Sequence, residues 1–227
     1  MARRRVSNPL ALAVLSCLAE RPMHPYEIST TLRSRGKEDS IKLNYGSLYA
    51  VVESLQKHAL ITARETTREG RRPERTVYEI TEAGLAELED WLSELLATPV
   101  REFTSLEAGL SLMPGLPPDD VALLLAKRAE RLRVELRTLD ASHAEAEQMQ
   151  LPELFLVESR FRHAMLTAEL EFVTRLAEGI QGSSMAGVKA WRKMHELRAG
   201  GLTVEEILAD PVRHLGEEGP ALQPPSS

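Results

Sequence analysis

Apolar positions in the first hundred residues fall into blocks whose spacing changes from helical to alternating and back. Asn8-Pro9 followed by the apolar run Leu10 to Leu18 predicts a helix over about residues 9–20. Asn supplies the N-cap, Pro the first helical position, and Glu20-Arg21-Pro22 the stop. His24-Pro25-Tyr26-Glu27-Ile28 opens a second helix, with Ile28 and Leu32 on one face and Arg35-Gly36 at its end. After a polar turn over 37–42 comes NYGSLYAVVESLQKHALI, residues 44–61. At about 100° per residue, Leu48, Val51, Val52, Leu55 and Ala59 gather on one face of a third helix. The opposite face holds Gly46, Ala50, Glu53 and Lys57, flanked by Ser47 and Tyr49, with Glu53 and Lys57 spaced for an i, i+4 ion pair. Residues this small at the leading end of a helix let another surface approach closely.

The spacing then turns strand-like. Residues 60–67 and Arg75 to Ile80 read as two short strands joined by a basic tip that contains Gly70, Arg71, Arg72 and Pro73. Thr81 caps a fourth helix with its stripe at Leu85, Leu88, Trp91, Leu92 and Leu95. Breaks at Thr98-Pro99 and at residues 114–118 bracket a short apolar element near 103–113. Beyond them a long helix begins at Asp119-Asp120, and Ala122, Leu125, Ala129, Leu132, Leu136 and Leu139 recur at alternating three and four. Pro152 interrupts, and Phe161, Met165, Ala168, Phe172 and Leu176 repeat the pattern in another helix. Two such helices form an antiparallel hairpin whose stripes exceed what one hairpin covers, which implies a partner. Residues 179–187 read as a flexible link, 188–198 as a further amphipathic helix with Trp191, and 216–227 as a disordered tail.

Charge sharpens this division. The chain carries a net −6, but residues 1–80 hold 14 Lys and Arg against 9 Asp and Glu, whereas residues 81–227 hold 14 against 25. The first part is suited to phosphate and the second is not. A lone cysteine, Cys17, inside an apolar run excludes a disulfide framework and reads as a small buried hydrophobe. No stretch is apolar enough to span a membrane, and a cytoplasmic location is expected. Histidines 24, 58, 143, 163, 195 and 214 lack metal-ligand spacing. No nucleophile with its base, paired-carboxylate site or cofactor fingerprint is visible, so neither an enzyme nor a metal or cofactor is expected.

Three helices, a hairpin with a basic tip and another helix is the order of a winged helix-turn-helix. In that fold the third helix enters the DNA major groove and the wing grips phosphate. The fold class expected is therefore mainly α with a small two-stranded β-wing, divided into a DNA-binding domain over 1–98, a helical dimerisation domain over 99–215 and the tail. Arg71, Arg72 and Arg75 are candidates for phosphate or the minor groove, with a solvated turn as the competing reading. Tyr45, Gly46, Ser47 and Tyr49 are recognition-helix candidates, Tyr45 being as well placed for packing. Lys42 and Asn44 precede the helix and are placed for phosphate, unless Asn44 is simply its N-cap; Tyr26 reaches either backbone phosphate or helix one. Dimerisation is assigned to Leu125, Leu132, Leu136, Leu139, Phe161, Met165 and Phe172.

Residues 22–28 (PMHPYEI), Gly46-Ser47-Leu48-Tyr49, Leu55 through Ile61, Gly70-Arg71-Arg72-Pro73 and residues 78–84 (YEITEAG) together resemble the PadR family of transcriptional regulators, over about residues 8–95. Pro25 stands where that family usually has Gly, and Ala50 where it usually has Pro; both suit a helix, and both bear on fine DNA geometry. The resemblance implies a homodimeric repressor that binds double-stranded DNA at a pseudo-palindromic operator and is released by a small, often aromatic, effector. Trp91 and Trp191 are the candidates to line an effector pocket, with core packing the competing reading. The alternative from another class is a winged-helix protein-interaction scaffold without sequence-specific DNA binding.

Overall fold

A computed structural model describes residues 8–41, 44–67 and 75–222. The chain divides into two compact units between Arg101 and Glu102. The architecture is mainly α with a two-stranded wing, followed by a helical C-terminal unit.

The first unit is built from α1 (Pro9–Glu20), α2 (Pro25–Ser34), a 3-10 turn (Lys37–Asp39), α3 (Tyr45–Lys57), β1 (Ile61–Thr67), β2 (Arg75–Ile80) and α4 (Glu82–Ala97). Each of its four helices starts on a side-chain cap, which satisfies amides that have no partner within the helix. The acceptors are Asn8 for α1, His24 Nδ1 for α2, Asn44 Oδ1 for α3 and Thr81 Oγ1 for α4. The histidine cap was not legible in sequence; it works because Glu27 accepts the His24 backbone N–H in return, at 2.9 Å. Leu10, Leu15, Ile28, Leu48, Leu55 and Ile61 form the centre of one apolar core shared by the helices and the wing. Full burial of each such side chain is worth about 1.5–3 kcal/mol. Cys17 lies in this core, and burial raises its thiol pKa, so the thiol stays neutral.

Ala59, expected on the buried face of α3, is exposed instead. It lies past the helix end at φ 57°, and the Leu60 N–H reaches back to Leu55 O at 3.0 Å, as in a glycine-capped terminus. Alanine is strained there. Ala59→Gly is expected to stabilise the protein by about 0.5–1 kcal/mol, read from denaturant unfolding; an unchanged midpoint would mean the strain is absent.

The strands pair antiparallel from Ile61↔Ile80 to Thr67↔Arg75, with a bulge between Ala63 and Glu65. Two backbone hydrogen bonds between Met23 and Tyr78, each 3.0 Å, fasten the link before α2 onto β2. They fix the start of the helix-turn-helix against the wing. A second fastening joins the end of α3 to the start of α4, where the Thr81 hydroxyl faces the carbonyls of Ala59 and Leu60 at 2.8 and 3.0 Å.

The second unit contains α5 (Ser105–Leu112), α6 (Pro118–Gln148), α7 (Val157–Gln181), α8 (Val188–Ala199), α9 (Val204–Ala209), α10 (Pro211–Leu215) and 3-10 turns over Gly216–Leu222. The expected α6–α7 hairpin is present, but its seam differs. Leu125 and Leu132 are buried against Val173, Ala177 and Ile180, with Leu166 and Leu170 beside them. Leu136 is also buried and Leu139 half-buried. Phe161, Met165 and Phe172 point to solvent, at 68%, 57% and 46% exposure. Helix α7 carries two apolar stripes, and the one with Val and Ala lies against α6. Arg128–Glu169 at 2.6 Å and Arg162–Glu135 at 2.7 Å cross-link the pair.

Other boundaries shift as well. Helix α7 runs through Gly179 to Gln181, so the link expected over 179–187 is shorter. Helices α9 and α10, which the periodicity did not predict, join α8 in a small core of Ala190, Ile207 and Leu215. Six and five residues give too few turns for a periodic signal. The segment expected to be a disordered tail forms 3-10 turns as far as Leu222, and the Glu218 carboxylate accepts the Ala190 N–H at 3.3 Å. No helix among the described residues is long and apolar enough to cross a membrane.

Candidate nucleic-acid interface

Helix α3 has two unlike faces. Leu48, Val51, Val52 and Leu55 are all 7% exposed or less, which fixes the rotation of the helix and turns Gly46, Ala50, Glu53 and Lys57 to solvent. Ser47 is half-buried on the flank and Tyr49 is half exposed. A methyl group at Gly46 would meet only Asn44 Oδ1, at 3.5 Å, an ordinary contact. Among the described residues nothing therefore requires that residue to be small.

Asn44 is the N-cap: its Oδ1 accepts the Ser47 N–H at 3.0 Å, so the capping alternative is the one realised for that oxygen. Tyr26, at 58% exposure in the first turn of α2, presents its ring to solvent rather than to helix one. Glu53 and Lys57 form no ion pair, contrary to expectation, and Lys57 extends from the last turn of α3. Lys42, Arg71 and Arg72 lie outside the described residues, as do the side chains of Tyr45 and Arg75.

The cations of the α1–α2 side are already partnered. Arg35 holds both carboxylate oxygens of Glu20, the longer contact at 2.7 Å, and that hydrogen bonding lowers the Glu20 pKa. Arg33 meets Glu38 at 2.9 Å and Arg21 meets Glu27 at 3.6 Å. Sequence reasoning missed one wing cation, Arg64, which sits at the bulge of β1 and reaches Glu79 at 3.7 Å. Strand alternation gives no sign of a bulge, although Arg in a wing strand is itself a signal.

Residues 14–90 match the model of the transcriptional regulator PadR-like family. The N-terminal unit is a PadR-like domain. It is thus the winged helix-turn-helix, DNA-binding part of a transcriptional regulator. Solved structures share the fold of this chain at low identity. PadR of Bacillus subtilis in complex with operator DNA is 20% identical, covering 75% of this chain and 99% of that one, with TM-score 0.57. The same protein in complex with p-coumaric acid is aligned at 14% identity, 76% and 97% coverage and TM-score 0.56. The Vibrio cholerae virulence activator AphA is 16% identical, with 77% and 99% coverage and TM-score 0.58. No curated protein matches the sequence.

Trp91 and Trp191, the effector-pocket candidates, are packing residues. Trp91 is 5% exposed in the core of the PadR-like unit. Trp191 is 8% exposed in the C-terminal core, and its indole N–H donates to Leu116 O at 3.0 Å.

Proposed function

We propose that this chain is a homodimeric, sequence-specific repressor of transcription that works in the cytoplasm, binds a pseudo-palindromic operator and leaves it when a small-molecule effector binds. The observation that carries the DNA reading is the slim, exposed leading end of α3, where the described residues leave room for a side chain at Gly46. Ser47 and Tyr49 flank it, Tyr26 is exposed on α2 and Lys57 at the far end of α3, and Arg71, Arg72 and Arg75 are proposed to add phosphate contacts from the wing. Phe161, Met165 and Phe172 support the dimer reading, because they form an outward apolar stripe that α6 leaves uncovered. Leu125, Leu132 and Leu136 are buried within one chain, so Phe161, Met165 and Phe172 supply the larger exposed part of the proposed dimer surface. The Bacillus subtilis relative solved with operator DNA and with p-coumaric acid supports an operator and an effector here. AphA is an activator, so the direction of regulation rests on the family resemblance alone.

Titration of labelled upstream DNA by anisotropy at several salt concentrations tests the proposal. Affinity is expected to fall steeply with salt. Arg71→Ala with Arg72→Ala is expected to flatten the log–log slope by about 2, near 0.9 for each phosphate that is no longer neutralised. Binding indifferent to salt and to both arginines would refute it. If random-pool selection enriches no DNA while a protein partner co-purifies, the scaffold reading replaces it.

A further inference from the structure

Between α5 and the first half of α6, wholly inside the C-terminal unit, lies an open cleft of about 670 Å³. That volume falls within the range of small-molecule sites, roughly 300–1,000 Å³. Leu106, Leu110 and Met113 line it on one side and Val121, Leu125 and Leu132 on the other. Lys127 and Arg131, one turn apart on α6, stand over this apolar floor.

Two independent features mark the cleft as more than an unfinished core. The first is Gly109, which lines it from the interior of α5. Glycine inside a helix costs about 0.5–1 kcal/mol relative to alanine. A side chain at Gly109 would meet no atom within 4 Å, and its φ is not in the left-handed region. Neither packing nor backbone asks for a glycine, so its effect is to keep the cleft wide. The second is charge. Arg128 is engaged by Glu169 at 2.6 Å, and Glu135, the one carboxylate of the lining, is engaged by Arg162 at 2.7 Å. Lys127 and Arg131 form no ion pair among the described residues. The cleft is thus a hydrophobic floor under two uncompensated cations.

We infer that this cleft binds an amphipathic small molecule bearing one carboxylate, with its apolar body against Leu110, Met113 and Leu125 and its carboxylate between Lys127 and Arg131. The inference deepens the effector reading and rests on it only for the link to DNA release. A reporter is built in: Leu116 lines the cleft, and its carbonyl accepts the Trp191 indole N–H. The other tryptophan, Trp91, lies in the PadR-like unit.

The test titrates the full chain with octanoate and with 1-octanol, following tryptophan emission and calorimetric heat. Octanoate is expected to bind about tenfold or more tightly than octanol, since only it can make charge-assisted hydrogen bonds. Lys127→Gln combined with Arg131→Gln is expected to erase that preference and leave octanol binding unchanged. Gly109→Leu is expected to weaken both ligands about tenfold or more without lowering the melting temperature. Equal affinity for the two probes, or octanoate binding that ignores both variants, overturns the inference. So does a parent that binds no octanoate while Gly109→Leu shifts its mass from dimer to monomer, which would assign the cleft to a second copy. Octanoate binding without any change in operator affinity upholds the site and removes the effector from the proposed function; operator binding without octanoate binding does the reverse.

Discussion

Ala50→Glu is expected to abolish operator binding while moving the melting temperature by no more than about 3 °C. Ala50 is exposed, one turn after Gly46 and about one turn before Glu53. Glutamate is nearly as good a helix former as alanine, and a like charge near Glu53 costs a few tenths of a kcal/mol. A substitution at such a surface site stays within about 0.5 kcal/mol, which sets the small thermal shift. Against a duplex the effect is of another order. The new carboxylate lengthens the slimmest part of α3 and brings negative charge to phosphate, and like-charge juxtaposition costs several kcal/mol, about a hundredfold or more in affinity. Ala50→Ser keeps the size and leaves the charge unchanged, so it is expected to retain most of the binding. Anisotropy with operator DNA and a thermal melt read the two quantities separately. Parent-like affinity in Ala50→Glu would mean that this face of α3 does not meet DNA.

Gly84→Ala should have the opposite signature, a large loss of stability at a residue remote from that face. A Cβ at Gly84 would lie 2.0 Å from Leu60 O and 2.8 Å from Ile80 Cγ1. The carbonyl cannot retreat cheaply, because it accepts from the Thr81 N–H at 3.1 Å and lies 3.0 Å from the Thr81 hydroxyl. Those bonds tie the end of α3 to the start of α4. Overpacking against fixed backbone is expected to cost about 3 kcal/mol, at the upper end of the usual range. For a domain of about 100 residues this lowers the melting temperature by roughly 10–20 °C. Circular dichroism melts decide the matter; a drop of less than about 2 °C would mean the junction relaxes freely. The contrast with Gly46 is informative, since a methyl group there meets nothing closer than 3.5 Å. Packing requires the glycine at position 84, whereas the described residues leave room for a side chain at position 46.

The PadR-like unit was legible because its signals are local. Caps at Asn8 and Thr81, the stripe of Leu48, Val51, Val52 and Leu55, and the alternation in β2 each lie within a few turns or pairs, and the structure places them as the spacing requires. The C-terminal unit was less so. Helix α7 offers Phe161, Met165 and Phe172 on one side and Leu166, Val173 and Ile180 on another, and periodicity alone ranks the larger residues first. Trp91 and Trp191 had the chemistry of a ligand site but the burial of a core. The cleft between α5 and α6 had no signature, because its residues come from two elements and its cations matter only once their neighbours are known to be paired elsewhere.

Spacing along single segments was enough to set the order of helices and strands, the helix starts at Asn8, Asn44 and Thr81, and the two-faced character of α3. Three-dimensional packing was needed to establish which stripe of α7 is covered, why Gly84 must lack a side chain, and which arginines are already neutralised. Those answers depend on atoms distant in the chain meeting within a few ångströms, and no one-dimensional pattern encodes that distance.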